Sequence, residues 1–244
     1  MRTMSEEEMA ELRSRILSMA RKAETGKDPL VWFEDLYESS NGNESMIPWS
    51  SGEAHQFLIE WMRSVSPGGK ALVVGSGLGE DAAHLAKIGW DVTAFDISPT
   101  AIEWSSKIYG DLDIHWRVEN LLNLPDEWVG HWDLVVEVHI LQAIPEGIRN
   151  PASKKLAPLL APGGKLICIG RYESSNEYSD GPPWPLAESF IHSIGEGLNQ
   201  IHFEVKSRDN DDVGLLRYIS VLSLIHISEP TRQEAISYAV FCLK

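Results

Sequence analysis

The sequence is poor in cysteine, in long apolar runs and in positive charge. Its cysteines are Cys168 and Cys242, too few for a disulfide framework or a four-cysteine zinc site. No apolar run approaches the roughly 18 residues needed to cross a bilayer, and the acidic, polar start is unlike a signal peptide. With 36 acidic against 21 basic side chains, the net charge of −15 repels phosphate. We therefore expect a cytoplasmic protein with no nucleic-acid or membrane partner and no metal site.

The 244 residues include 43 % hydrophobic side chains, enough for a single globular domain. From residue 70 onward short apolar runs alternate with amphipathic stretches, which predicts a doubly wound, mostly parallel α/β sheet. The predicted strands are 71–74, 91–95, 114–118, 134–138, 165–169, 201–207 and 216–222. The predicted helices of this part are 80–88, 100–109, 152–160 and 186–195, with a turn at 162–164.

Ahead of the sheet, residues 1–66 are expected to form a helical cap. Ser5 and Glu8 fit a capping box, and apolar residues such as Leu12 and Ile16 follow at helical spacing. Two further helices are predicted near 31–37 and 53–64. We expect the cap and a sheet core over 67–222 to make one domain, 1–222.

Residues 223–244 fit this organisation poorly. They follow a completed strand, and their sequence resembles translated sequencing-adaptor read-through. The alternative is a native extension whose residues 235–243 pack on the domain. We expect a non-native tail and assign it no function.

Three glycines lie between the first predicted strand of the sheet and its helix, at Gly75, Gly77 and Gly79. Glycine lets the backbone turn tightly and approach a ligand that a Cβ would exclude. Asp96 ends the next strand about 20 residues later, where a carboxylate can accept hydrogen bonds from both ribose hydroxyls. Together these features predict a nucleotide site.

The spacing of the glycines separates two kinds of nucleotide. Dinucleotide sites use G-x-G-x-x-G, whose third glycine would fall where this chain has Glu80. Glu80 and Asp81 would also repel a pyrophosphate at the helix N-terminus. We therefore predict a cationic ligand without phosphate, S-adenosylmethionine. A dinucleotide site, as in a nicotinamide-dependent oxidoreductase, is the alternative.

From about residue 32 to residue 222 the chain resembles the class I S-adenosylmethionine-dependent methyltransferases. The resemblance implies a Rossmann-like methyltransferase fold, a seven-stranded sheet whose last strand is antiparallel. It also implies cofactor contacts from Gly75, Ser76, Gly77, Gly79, Asp96, Ile97, Asn120 and Leu121. Two positions depart from the family pattern, since Val73 and Asn120 stand where acids are frequent.

Within that class the chain is most similar to the thiopurine, thiol and halide methyltransferases. Four short segments carry the similarity: Trp32, Pro-Trp-Ser-Ser-Gly at 48–52, Glu137 with 143–146, and Gly-Pro-Pro-Trp at 181–184. The resemblance implies that Trp32 and Trp49 contact the cofactor. Ser50 and the segment 138–140 depart from the group at places where the acceptor is chosen, so its acceptors are not carried over.

Glu137 and His139 are the candidate catalytic residues, because both lie near the end of the fourth predicted strand, where open α/β sheets bind ligands. A carboxylate in an apolar strand needs a partner, and we expect Glu137 to bind the methionine ammonium; a structural ion pair is the alternative. His139, Trp49 and Trp184 are predicted to line the acceptor pocket. The alternatives are a partly buried histidine bonded to backbone for His139, plain packing for Trp49 and the pinning of a loop for Trp184. An oxygen or nitrogen acceptor would need a base, whereas a thiolate needs little beyond alignment.

The predicted function is therefore methyl transfer from S-adenosylmethionine to a small molecule, a thiol or another soft nucleophile. The alternatives are a nicotinamide-dependent oxidoreductase on the same sheet and a non-catalytic S-adenosylmethionine-binding protein. The sequence leaves open the identity of the acceptor, the need for a general base and the oligomeric state.

Overall fold

The computed structural model describes residues 5–174, 181–209, 211 and 214–224. At its centre is a seven-stranded sheet in the order β3-β2-β1-β4-β5-β7-β6. The strands are β1 (Lys70–Val74), β2 (Asp91–Asp96), β3 (Ile114–Val118), β4 (Trp132–Val138), β5 (Leu160–Arg171), β6 (Asn199–Lys206) and β7 (Arg217–Ser223). β7 runs antiparallel to β5 and β6, and the pairs from β3 to β5 are parallel. The predicted fold class is confirmed.

Helices cover both faces of this sheet. They are α1 (Glu6–Glu24), α2 (Trp32–Ser40), α3 (Gln56–Met62), α4 (Glu80–Lys87), α5 (Pro99–Ile108), α6 (Glu146–Ser153) and α7 (Glu188–Ser193). Successive strand residues point to opposite faces, so Val73 packs with α3 and α4 while Val74 packs with the layer that contains Ile191 of α7. Among the described residues, no helix combines the length and the apolarity of a membrane span.

The N-terminal helices form the predicted cap. The capping box of α1 is present: the Glu8 amide donates to Ser5 Oγ at 3.2 Å, and the Ser5 amide donates to Glu8 Oε2 at 2.8 Å. Leu12 and Ile16 are buried in one cluster with Leu36 of α2, and α2 packs against α5. The cap therefore rests on the same side of the molecule as the crossover from β2 to β3.

Two predictions between β4 and β5 are wrong. The helix expected over 152–160 lies earlier, at Glu146–Ser153, and only a 3₁₀ turn at Ala157–Leu159 follows it. Pro158 has no amide hydrogen and cannot continue an α-helix through this region. The turn expected at 162–164 lies within β5, whose pairing with β4 shifts register between Trp132 and Leu134.

The start of the suspected tail belongs to the sheet. Ser223 is the last residue of β7, and the Leu224 amide donates to Gly164 O at 3.0 Å. Residues 225–244 lie outside the described residues, so the expected non-native tail stays a prediction.

Candidate functional site

The predicted site residues that follow the strands lie at one edge of the sheet. The carboxyl ends of parallel strands share an edge, and the loops after β1, β2 and β4 meet there. β7 is antiparallel, so its first residue, Arg217, lies at this edge and pairs with Arg171 at the end of β5. The antiparallel direction of β7 therefore places Arg217 beside the loops that follow the parallel strands.

The glycine loop has a backbone conformation that side chains disfavour. Gly75, Gly77 and Gly79 have φ angles of +59°, +55° and +91°. The Ser76 amide donates to the carbonyl of Phe95 at 2.8 Å. The loop that follows β1 is thereby anchored to the end of β2.

Side chains from the cap and from the loop after β4 pack closely against the glycine loop on two sides. A Cβ at Gly75 would lie 2.3 Å from Cδ1 of Ile140, in the loop after β4. A Cβ at Gly77 would lie 3.2 Å from the hydroxyl of Tyr37, in the cap. The glycines thus allow the cap and the β4 loop to close around one turn of backbone.

Asp96, the predicted ribose acid, is 7 % exposed at the end of β2. Its Oδ1 accepts from the Ser98 amide at 3.0 Å, and its Oδ2 accepts from the Gly77 amide at 2.9 Å. Since a carboxylate oxygen can accept two hydrogen bonds, each oxygen keeps capacity for a ribose hydroxyl. Burial raises the pKa of Asp96 above its usual value, and the amide hydrogen bonds oppose that effect.

The predicted adenine residues follow β3. The Glu119 amide donates to the carbonyl of Asp96 at 3.1 Å, which holds this segment beside the ribose acid. Asn120 Oδ1 accepts from the Leu122 amide at 2.9 Å, so the side chain closes its own turn. Leu121 is buried, and Ile97 is half-buried against the same cluster. Contact of these side chains with an adenine stays a prediction.

Glu34 of α2 ties the cap to the end of β2. Its carboxylate accepts from the hydroxyl of Ser98, and from the hydroxyl of Thr100 at 2.6 Å. Ser98 also donates its amide to Asp96. Ser98 therefore connects the cap to the predicted ribose acid, a connection that the sequence did not indicate.

Glu80 and Asp81, at the start of α4, hold the rest of the cap. Glu80 accepts from the hydroxyl of Ser50, and Asp81 Oδ1 accepts from the His55 amide at 2.8 Å. Burial raises the pKa of Asp81 to about 6. These acids, with Asp96, give the glycine loop an acidic surrounding that favours a cationic ligand over a pyrophosphate.

The two predicted cofactor tryptophans have different positions. Trp49 donates its Nε1–H to the hydroxyl of Tyr37 at 2.9 Å, beside Gly77, and the residue remains 40 % exposed. Trp32 is 2 % exposed and stacks on Phe33 with ring centroids 4.0 Å apart. Trp49 thus lies over the glycine loop, whereas Trp32 lies inside the cap. Their cofactor contacts stay predictions.

Glu137 is 1 % exposed at the end of β4, in register with Val74, which precedes the glycine loop. Its Oε1 accepts from the amides of Ile140 at 2.6 Å and Leu141 at 3.0 Å. Its Oε2 is buried and has no hydrogen-bond partner among the described residues. Burial raises the pKa of Glu137 to about 7, against the effect of the two amides and of a hydrogen bond from the Cys168 thiol on β5. An unpartnered buried carboxylate oxygen fits the ammonium group that the sequence predicts here.

His139, the other catalytic candidate, has both ring nitrogens engaged. Its Nδ1 lies 2.8 Å from Gln142 Oε1, and its Nε2 lies 3.2 Å from Arg217 Nη1. A guanidinium only donates and an amide oxygen only accepts, so Nε2 accepts a hydrogen bond and Nδ1 carries the proton. The imidazole is therefore neutral. Burial, with neighbouring arginines, lowers the pKa of His139 to about 4.

Arg217 is held by a carboxylate that sequence reasoning missed. Its Nε and Nη2 lie 2.7 Å and 2.8 Å from the two carboxylate oxygens of Asp211. The Arg208 amide also donates to Asp211, at 3.0 Å. Burial acts to raise the pKa of Asp211, but these hydrogen bonds hold it at about 2. An arginine at the start of an apolar strand was the available sequence signal.

Gln142 connects His139 to the predicted acceptor residue Trp184. The Arg171 amide donates to Gln142 Oε1 at 2.6 Å, and Gln142 Nε2 donates to the Trp184 carbonyl at 3.3 Å. The Trp184 amide donates back to the Gln142 carbonyl at 2.8 Å. The backbone of Trp184 is thus bound to Gln142, the residue that also holds His139, and the acceptor contact of Trp184 stays a prediction.

His55 is a further residue that the sequence did not indicate. Its ring meets that of His139 edge to face, with centroids 5.4 Å apart. Its Nδ1 accepts from the Phe57 amide at 3.2 Å and begins α3. In the part of the chain that the structure describes, no three His, Cys, Asp or Glu side chains are grouped to hold a metal ion.

Comparison with known sequences gives concordant results. The family model of thiopurine S-methyltransferase (TPMT) matches residues 40–216. "Probable thiol methyltransferase 2" of Arabidopsis thaliana is 30 % identical over 150 residues, 60 % of this chain and 66 % of that protein. "Thiocyanate methyltransferase 1" of Brassica oleracea is 28 % identical over 164 residues, 62 % of this chain and 67 % of that protein. The chain thus spans about two thirds of the length of these relatives.

Solved structures share the architecture. The N-methyltransferase NodS of Bradyrhizobium japonicum WM9, in complex with S-adenosyl-l-homocysteine, has a TM-score of 0.57 at 15 % identity, covering 85 % of this chain and 97 % of that one. The [4+2]-cyclase SpnF has a TM-score of 0.64 at 11 % identity, covering 80 % and 95 %. At such identities the likeness concerns the fold alone.

Proposed function

Because the chain belongs to the thiopurine S-methyltransferase family and is an S-adenosylmethionine-dependent methyltransferase of small molecules, we propose that its acceptor is a small anion with a soft nucleophilic atom, such as a thiolate or thiocyanate. One observation carries the proposal. The imidazole at the end of β4 has its lone pair occupied by Arg217, so His139 does not serve as a general base. An acceptor that arrives already ionised needs no such base.

The second candidate base is equally unsuited to an acceptor. Glu137 Oε1 is engaged by two backbone amides, and the whole side chain is 1 % exposed. Its free oxygen, Oε2, is the atom we assign to the cofactor's ammonium group. The described strand ends therefore offer positioning, and positioning alone contributes several powers of ten to a displacement by a soft nucleophile.

The residues of this chain fit S-adenosylmethionine. We assign the ribose to Asp96, the ammonium to Glu137 and the covering surface to Trp49, with the glycine loop between them. When bound, the cofactor supplies a methyl group on a cationic sulfur that leaves as a neutral thioether. The chain's own part is to hold the acceptor in line with that methyl group and to keep water out through the cap.

Charge at the strand ends supports an anionic acceptor. Arg171, Arg208 and Arg217 all act electrostatically on His139, and each lowers its tendency to protonate. Asp211 is the acid paired with this group, and it is already saturated by Arg217 and Arg208. The positive charge of Arg217 beside His139 stabilises an anionic acceptor, whose charge is neutralised when it takes the methyl group from the cationic cofactor.

The proposal is tested by an acceptor panel scored for release of S-adenosylhomocysteine. We expect turnover with thiocyanate, iodide and hydrosulfide, and little with phenols or primary amines at pH 7. Turnover confined to phenols or amines would refute the anionic acceptor. Nicotinamide dinucleotides serve as the negative control for binding, because the acids around the glycine loop oppose a pyrophosphate.

A further inference from the structure

We propose that Arg217 is a specificity-determining residue: by occupying Nε2 of His139, it prevents that imidazole from taking a proton from a neutral acceptor. The inference rests on the proposed function, since it explains how the site is restricted to acceptors that are already ionised. Arg217 acts through His139 and is therefore a positioning residue.

The geometry allows a single protonation state of His139. Gln142 Oε1 accepts from the Arg171 amide at 2.6 Å, which identifies that atom as the oxygen of the side-chain amide. The proton shared with His139 at 2.8 Å must then come from Nδ1. Nε2 is left as the acceptor for Arg217 at 3.2 Å. Protonation of Nε2 would set a cation against the guanidinium.

Arg217 cannot easily swing away. Its side chain is 8 % exposed, and two nitrogens are fixed on Asp211, whose side chain is 3 % exposed. Breaking one partner of a buried ion pair leaves the other charge uncompensated, which is strongly unfavourable. The third nitrogen, Nη1, is therefore presented to His139 by a rigid, planar group.

Burial and three arginines lower the pKa of His139, against the hydrogen bond with Gln142, which raises it. Arg171 at the end of β5, Arg208 before the β6–β7 turn and Arg217 on β7 all disfavour a protonated ring, and burial adds to them. The ring of His55, at the start of α3, faces the ring of His139. Burial lowers the pKa of His55 to about 2, so that ring is neutral too. Asp211 is the opposing charge, and it is bound to Arg217.

A thiolate and a neutral thiol differ in whether a proton must be removed during methyl transfer. A thiolate forms its bond to the methyl carbon with a lone pair, the carbon–sulfur bond of the cofactor breaks, and no proton moves. A neutral thiol gives the same products only if its S–H proton goes to a base. With Arg217 replaced by a residue that releases Nε2, His139 becomes that base, and the proton ends on Nε2.

The experiment compares R217Q, H139Q and the double variant R217Q/H139Q, with R208Q as the matched control. R208Q removes a nearby positive charge that also contacts Asp211, but it leaves the hydrogen bond to His139 in place. Each protein is assayed from pH 5 to 9 with thiocyanate, which has no proton to lose, and with an aliphatic thiol that is mostly protonated at pH 7. The measured quantity is the ratio of kcat/KM for the thiol to kcat/KM for thiocyanate.

We expect this ratio to rise about tenfold or more at pH 7 in R217Q. General-base catalysis contributes about a hundredfold or more in evolved sites, and this site is not built for it. R208Q should show only the smaller rise that comes from weaker use of thiocyanate after loss of a positive charge, and the double variant should fall back to that level. Imidazole ¹⁵N spectra give a readout without turnover: His139 should stay neutral from pH 5 to 8 in the wild type, and its titration should move to higher pH in R217Q. An unchanged ratio together with an unchanged His139 spectrum in folded R217Q overturns the inference.

If R217Q does not fold, R217Q/D211N replaces both partners of the buried pair by amides and takes its place, with the same expected and opposing results. Failure of the proposed function looks different. In that case the wild-type protein is inactive with thiocyanate and the thiol but releases S-adenosylhomocysteine with a phenol or an amine, which overturns both proposals. Wild-type turnover of anions with no change in R217Q overturns the inference alone.

Discussion

The amide nitrogen of Gly77 lies 2.9 Å from Oδ2 of Asp96, so the glycine loop and the predicted ribose acid form one hydrogen-bonded unit. The same carboxylate accepts from the Ser98 amide, and the Ser98 hydroxyl donates to Glu34 of the cap. The shape of the glycine loop and the attachment of the cap are therefore coupled through a single buried acid, the one we assign to the ribose.

The first prediction concerns that acid. Asp96→Asn replaces one accepting oxygen with an NH₂ group that faces a backbone amide. We expect S-adenosylhomocysteine affinity to fall by about 1–3 kcal/mol, the range for an unpaired buried polar group. Isothermal titration calorimetry measures the change. Asp91→Asn, an exposed acid at the opposite end of β2, is the control and should bind normally. Equal affinities of the two variants would remove Asp96 from the cofactor site.

The second prediction concerns pH and Glu137. The pKa of its carboxyl is raised from 4.5 to about 7 in the folded chain. Folding therefore favours the protonated form, and the stabilisation is fully present below about pH 4.5 and lost as pH rises through about 7. Glu137→Gln has no carboxyl to ionise. In the absence of cofactor, the difference in free energy of unfolding between variant and wild type should therefore shift by about 1–3 kcal/mol in favour of the variant from pH 5.5 to pH 8. Urea unfolding at both pH values measures it.

Glu196→Gln, at an exposed position, is the control for Glu137 and should follow the wild-type pH dependence. The cofactor gives an opposite sign, because an ammonium ligand favours the ionised carboxyl. Glu137→Gln should therefore weaken S-adenosylhomocysteine binding at pH 8 while it stabilises the free protein. A variant with unaltered affinity would show that Glu137 only shapes the loop after β4.

The third prediction concerns the attachment of the cap. Glu34→Gln keeps one accepting oxygen but loses the charge that receives the hydroxyls of Ser98 and Thr100. Hydrogen bonds to charged groups contribute about 1.5–3 kcal/mol, so we expect the cap to open more often. Amide hydrogen exchange in α1 and α2 should accelerate, with smaller changes in β1 and β4. Glu38→Gln, an exposed acid of the same helix, should leave exchange unchanged.

The fourth prediction concerns the backbone of the glycine loop. At Gly79 φ is +91°, and a Cβ would lie 2.5 Å from Cη2 of Trp116. Gly79→Ala should therefore destabilise the protein by about 1–3 kcal/mol, from strain and overpacking combined. Gly147→Ala is the matched control, because that glycine lies in α6 with open space around it. It should leave the thermal midpoint unchanged or raise it slightly.

The sequence was sufficient for features whose cause is local. Strand and helix identity follows from the period of apolar residues, and the capping box of α1 needs only Ser5 and Glu8. The glycine loop and Asp96 were predictable as a pair because a single crossover helix connects their strands. The helix before β5 was misplaced: it lies at Glu146–Ser153 with Pro151 inside it, and only a 3₁₀ turn follows at Ala157–Leu159.

Tertiary structure decided which side chains became partners. Arg217 and His139 are 78 positions apart, and they meet only because β7 returns antiparallel beside β5. Glu34 and Ser98 are 64 apart and meet because α2 packs on α5. Periodicity and backbone preference act over a few residues, but hydrogen-bond choice and desolvation depend on what the folded chain brings together. The fold and the family were therefore predictable from the sequence, the cofactor contacts stay predictions, and the protonation state of His139 needed the tertiary structure.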